Sequence, residues 1–97
     1  MIGIDLNNLT QAHLDEAKPH MGKCRYSSPC IIGALLTPSH RDYLDSDGDD
    51  QSVGVLQYKG FVRVPDDQLL DAIHLQTAFD DRDWSKVEEI AHKYVVS

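Results

Sequence analysis

Residues 27–36 read Ser-Ser-Pro-Cys-Ile-Ile-Gly-Ala-Leu-Leu, the only near-continuous apolar run in a chain of 97 residues. Such a run is stable only out of water, so the rest of the chain has to cover it. Ser28 suits a helix N-cap, and Pro29 suits the first helical position, where a missing N–H costs nothing. In a helix, Cys30, Ile31, Ala34 and Leu35 share one face. Ile32 and Leu36 widen it nearly all round, the pattern of a helix enclosed on several sides. Gly33 weakens the helix but lets another backbone come close. The expectation is a mainly α, compact single domain over residues 1–97, with about five short helices and a central buried helix at 29–36.

The flanking segments carry their own punctuation. Asn8 followed by Gln11 has the form of a capping box, and Leu6, Leu9, Ala12, His13 and Ala17 fall on one face of a helix that Pro19 closes. Thr37 and Pro38 repeat the cap-then-proline start for a short helix ending at Tyr43 and Leu44. Residues 45–52 are wholly polar and read as an exposed loop. Residues 53–64 admit two structures. One is a β-hairpin turning at Lys59-Gly60. The other is a helix from Ser52 to Lys59 with Gly60 as its C′ residue and residues 61–64 extended. Tyr58 and Phe61 are accordingly either exposed apolar anchors or core. Pro65, Asp66 and Asp67 open the next helix, where carboxylates favour the positive end of the dipole; its apolar stripe is Leu69, Leu70, Ile73 and Thr77, with Leu75 and Phe79 nearby. A last helix, capped by Asp83, places Trp84, Val87, Ile90, Ala91 and Tyr94 on one side.

Charge narrows the range of partners. The net charge is −7, with aspartate far outnumbering glutamate. Residues 1–41 hold four Lys/Arg against three Asp/Glu, while residues 42–97 hold five against thirteen. Direct nucleic-acid binding depends on a basic stripe and is disfavoured. An acidic half instead suits a partner that is itself basic. No apolar run approaches the roughly 20 residues of a membrane span. The first residues lack the basic leader and apolar core of a signal peptide, so no membrane association and a cytoplasmic location are expected. Two cysteines make no disulfide framework.

Three constellations bear on chemistry. Asp45-Ser46-Asp47-Gly48-Asp49 copies the start of a calcium loop, but Asp50 stands where glycine is required and Leu56 where the bidentate glutamate belongs. His20, Cys24, Cys30 and His40 form a loose zinc-type set without a Cys-x2-Cys knuckle. Cys24, beside Lys23, Arg25 and His20, is the better candidate thiol; Cys30 points into the expected core and reads as a small hydrophobe. None of these supplies a complete site, so no catalytic residue, metal or cofactor is expected.

Cys24-Arg25-Tyr26, then Pro29-Cys30-Ile31-Ile32-Gly33-Ala34-Leu35-Leu36 with Pro38 and Tyr43, resembles an uncharacterised family of small bacteriophage and prophage proteins. The likeness continues through Val53, Leu56, Gly60 and Val62, then Leu75-Gln76, Asp80, Trp84 and Ile90-Ala91, covering about residues 17–92. The loop between Cys24 and Cys30 is shorter here than in that family, and residues 45–50 are more acidic. The resemblance implies a mostly helical fold, favouring the helix at 53–59, and a phage setting in a host bacterial cytoplasm. With the acidic second half, it implies a non-enzymatic protein of the anti-CRISPR kind, inhibiting a host defence nucleoprotein complex. In that function Asp45, Asp47, Asp49, Asp50, Asp66, Asp67, Asp80, Asp81 and Asp83 would present carboxylates to a basic groove that otherwise holds nucleic acid. The alternatives are a small zinc- or thiol-dependent enzyme using Cys24 with His20 or His40, and a phage accessory protein without a defence role.

Overall fold

The computed structural model describes residues 2–22, 25–48 and 51–95. Its regular elements are β1 (Ile2–Gly3), α1 (Gln11–Ala17), α2 (Pro38–Ser46), α3 (Val53–Tyr58), β2 (Val62–Arg63), α4 (Leu69–Asp80) and α5 (Trp84–Ala91). Short 3₁₀ turns at Leu6–Asn8, Lys18–His20 and Gly33–Leu35 join them. The domain is mainly helical, as expected, and the sheet is a two-stranded parallel pair in which Ile2 faces Val62 and Gly3 faces Arg63. Among the described residues no helix is long and apolar enough to cross a membrane.

The apolar run lies where its composition requires. Residues 29–36 are buried throughout apart from half-buried Leu35, with Ile31 and Ile32 wholly inaccessible. Its backbone differs from expectation. Ser28 does not cap a helix, and the segment passes through a turn into the 3₁₀ turn Gly33–Leu35. One α-type bond forms, from Ala34 N–H to the Cys30 carbonyl at 2.9 Å; the next two, Leu35 to Ile32 and Leu36 to Gly33, are of the tighter 3₁₀ kind. Consecutive β-branched isoleucines and a glycine are poor helix formers, and Pro38 forces the residue before it into extended backbone. Gly33 also lies against the next layer of chain, since a Cβ there would sit 2.2 Å from the Tyr26 carbonyl oxygen. Tertiary packing sets this path; the helix expected from spacing has no room.

The core gathers side chains from every helix and both strands. Leu6, Leu14, Ile31, Ile32, Leu44, Val53, Leu56, Leu75, Phe79 and Val87 are all inaccessible to solvent. The face of α4 is rotated from the expected stripe. Ala72, Leu75, Ala78 and Phe79 are buried, whereas Leu70 is 68% exposed. The alanines allow α5 to approach closely with Val87, Ile90 and Ala91, and short side chains at a helix contact favour that over a wider leucine stripe.

Local caps account for the element ends. Thr10, not Asn8, caps α1: its Oγ1 accepts the His13 N–H at 3.3 Å, and His13 Nδ1 accepts the Thr10 N–H at 3.1 Å. Asn8 is instead the last residue of a 3₁₀ turn whose cap is Asp5. As a result Leu14 and Ala17 carry the buried face of α1, and Ala12 is exposed. Thr37 and Pro38 start α2 as expected. At 53–64 the helix is the structure formed. Gly60, at φ +86°, closes α3, with bonds from Gly60 N–H to the Gln57 carbonyl and from Phe61 N–H to the Leu56 carbonyl. Those two bonds define a Schellman motif. Asp83 caps α5 by accepting the Lys86 N–H, also as expected.

Four side chains stitch the irregular backbone to these elements. Gln68 is 4% exposed; its Oε1 accepts the Leu6 N–H at 2.8 Å and its Nε2 donates to Asp5. Gln76 Oε1 accepts the Val53 N–H at 2.7 Å, while its Nε2 donates to the Tyr26 hydroxyl, which in turn donates to the Gln51 carbonyl. Gln57 Oε1 accepts the Val64 N–H. Asp45 accepts the N–H groups of Tyr26 and Ser27 at 2.8 and 2.9 Å. A buried N–H left unpaired is costly, so these amides and this carboxylate do for the connectors what hydrogen-bond ladders do for helices.

Candidate interaction surface

The aspartates marked in the sequence divide into groups with different environments. Asp45 is not in an exposed loop. Helix α2 runs on to Ser46, two residues beyond the expected end at Leu44, and Asp45 is half-buried with its carboxylate held by backbone N–H groups. The first ligand position of the calcium-like pattern is therefore occupied with holding residues 26–27 in place. Asp47 is exposed at the end of α2. Asp49 and Asp50 lie outside the described residues, as does Cys24.

Asp66 and Asp67 are exposed in the turn that leads into α4, and Asp80, Asp81 and Asp83 are exposed where α4 hands over to α5. Helix α4 has 12 residues, so the two groups are separated by about 18 Å of helix. Asp81 and Asp83 do come together. With His74, Thr77, Ala78 and Lys86 they line a shallow cleft of about 170 Å³ between the two helices. Arg82 between them has φ 59°, the left-handed conformation that turns the chain sharply there. Asp47, Asp66, Asp67, Asp81 and Asp83 make no ion pair among the described residues. Elsewhere Arg41 pairs with Glu16, Lys86 with Glu89 and Lys93 with Asp71.

The aromatic residues marked in the sequence differ in exposure. Tyr58 is 93% exposed and Tyr43 is 41% exposed, while Phe61 is half-buried and meets the Tyr43 ring edge-on at a centroid distance of 5.7 Å. A second depression, about 440 Å³, is lined by Gly3, Ile4, Asp5, Arg63 and Pro65, from the two strands and the residues that follow them. Asp5 is held below the usual carboxylate range, first by the Gln68 amide and then by the Asn7 N–H.

The thiol and metal candidates separate differently. Cys30 is buried, and loss of hydration pushes its thiol up to about 11, so it stays protonated at neutral pH. Its sulfur accepts the Gly33 N–H at 3.3 Å. A buried, protonated thiol is a poor nucleophile. His20 is half-buried in the 3₁₀ turn after α1, and His40 is exposed in the first turn of α2. Among the described residues no three His, Cys, Asp or Glu side chains lie close enough to hold a metal ion.

One polar group had no signal in the sequence. Tyr94 donates to Asp71, and Lys93 pairs with the same carboxylate at 3.2 Å, pinning the chain after α5 to the first turns of α4. The Tyr94 bond leads the lowering of Asp71, and burial, followed by that carboxylate, pushes Tyr94 up to about 12. Among known proteins, the chain matches no protein-family model, no curated protein and no solved structure.

Proposed function

We propose that this chain is an acidic, non-enzymatic binding protein that occupies a basic, nucleic-acid-binding surface of a partner. Following its resemblance to small phage proteins, the partner is a host defence nucleoprotein complex of the CRISPR-Cas kind, met in the bacterial cytoplasm. The observation that carries this is the state of the exposed carboxylates. Asp66 and Asp67 in the turn before α4, and Asp81 and Asp83 where α4 hands over to α5, are exposed and make no ion pair among the described residues. Fixed, unpaired charge of one sign attracts an oppositely charged face at long range and accelerates encounter. The alternative of a thiol enzyme rests on Cys24, which lies outside the described residues.

The test is affinity capture from bacterial lysate with the wild type and with a variant carrying Asp66→Asn, Asp67→Asn, Asp80→Asn, Asp81→Asn and Asp83→Asn. Asparagine keeps the cap of α5 while removing its charge. The wild type should retain a nucleic-acid-binding complex that is released by salt and displaced by duplex DNA or RNA. The neutralised variant should retain much less of it. Equal retention by both proteins at low salt, or a prey without a basic surface, would reject the proposal.

A further inference from the structure

The depression lined by Gly3, Ile4, Asp5, Arg63 and Pro65 is larger than the cleft between α4 and α5, and the function proposed above makes no use of it. It forms where the two parallel strands end, β1 at Gly3 and β2 at Arg63. Burial alternates along both stretches: Ile2, Ile4, Val62 and Val64 are buried, whereas Gly3, Asp5, Arg63 and Pro65 are exposed. A period of two therefore turns the second four away from the core, and the register that sets Gly3 opposite Arg63 brings the two stretches side by side. Gly3 contributes room. A Cβ at that position would meet no atom within 4 Å.

Two opposite charges border this space. Asp5 takes both the Asn7 N–H and the Gln68 amide on Oδ1, so Oδ2 accepts no hydrogen bond among the described residues. The Gln68 amide, followed by the Asn7 N–H, holds this carboxyl below the usual range, and it is ionised at neutral pH. Arg63 makes no ion pair among the described residues, with Asp5 or with any other acid. The two charges stand apart and neither cancels the other. Asp66 and Asp67 come next along the chain but do not line the depression. The remaining lining residues, Gly3, Ile4 and Pro65, carry no polar side chain.

We propose that this depression binds a free α-amino acid with an apolar side chain. A ligand of a single charge would meet one favourable and one unfavourable group here. A zwitterion answers both: its carboxylate forks onto the Arg63 guanidinium, and its ammonium donates to Asp5 Oδ2. The ligand side chain then rests against Gly3, Ile4 and Pro65. A volume of about 440 Å³ is that of a small-molecule site, and apolar walls with a few placed polar groups are the usual lining of one. The site uses none of the carboxylates assigned to the basic partner, so either reading can fail without the other.

The experiment follows backbone amide shifts of the full chain by nuclear magnetic resonance during titration with L-leucine to about 20 mM at neutral pH. The amides of Gly3, Ile4, Asp5 and Arg63 should shift together and saturate. N-acetyl-leucine, which lacks the ammonium, and leucinamide, which lacks the carboxylate, should each bind about ten-fold more weakly, since each loses one charge-assisted contact. Gly3→Ala should retain binding, whereas Gly3→Trp should fill the space and abolish it, with the rest of the spectrum reporting an intact fold. Arg63→Gln, on an exposed side chain, should reduce leucine to the affinity of leucinamide. Absence of saturable shifts at these amides overturns the proposal. So does an analogue that binds as tightly as leucine, or leucine binding that survives Gly3→Trp.

Discussion

Cys30 shows what a single residue contributes here. Its environment raises the thiol from 9.0 to about 11, mainly through burial. A group whose folded value is raised contributes stability that is fully present below its unfolded value and lost as pH climbs through the folded one. The Cys30 contribution is therefore complete below about pH 9 and disappears between pH 9 and 11. Two units correspond to roughly 3 kcal/mol. Urea unfolding followed across that window should show the wild type losing stability by that order, and Cys30→Ala should flatten this part of the alkaline limb. Below pH 9 the folded wild type should resist thiol reagents at position 30, and Cys30→Ala should be destabilised by its lost volume and by the Gly33 N–H that loses its acceptor. Tyr94, raised to about 12, adds a second alkaline loss at higher pH, and Asp71, lowered, withdraws its support only as the solution becomes acid.

At the scale of elements, short helices stay in place because side chains from elsewhere complete their ends. Helix α3 has six residues, and Ser52 makes no capping hydrogen bond; the Val53 N–H is met instead by Gln76 from the middle of α4. Asp45 plays the same part for residues 26 and 27. Its substitution separates two kinds of aspartate that are alike in sequence. Asp45→Ala should cost about 2 kcal/mol, since hydrogen bonds to a charged acceptor are lost and two N–H groups lose their partner. Asp47→Ala, exposed two residues later, should change stability by less than about 0.5 kcal/mol. Gln76→Leu should resemble the first of these, because it strands the Val53 N–H and removes the amide that donates to the Tyr26 hydroxyl. Thermal unfolding of the three variants checks the order.

For the molecule as a whole, net charge governs behaviour more than any single pair. At a net charge of −7 the folded chain repels itself. Raising sodium chloride from 10 to 150 mM shortens the screening length from about 30 to about 8 Å and should relieve that repulsion. The melting temperature should rise with salt while affinity for any basic partner falls. Opposite salt trends for stability and binding are the signature expected of an anionic surface kept for an external partner, and a melting temperature that falls with salt would contradict it.

The amino-acid order alone was enough for the helical class, the burial of residues 29–36, the Thr37-Pro38 and Asp83 helix starts, and the excess of carboxylates in the second half. Caps, prolines and charge act over a few residues, so their consequences are written locally. The 3₁₀ turn at Gly33–Leu35, the rotated face of α4, the inward turn of Asp45 and the parallel pairing of β1 with β2 were decided by the tertiary structure. Each depends on a partner far away in the chain: the Tyr26 carbonyl against Gly33, α5 against the alanines of α4, the 26–27 backbone for Asp45, and residues 61–63 for the first strand. A glutamine that caps a distant helix has the same local signature as one on the surface, because only the assembled fold brings its amide to the N–H it serves.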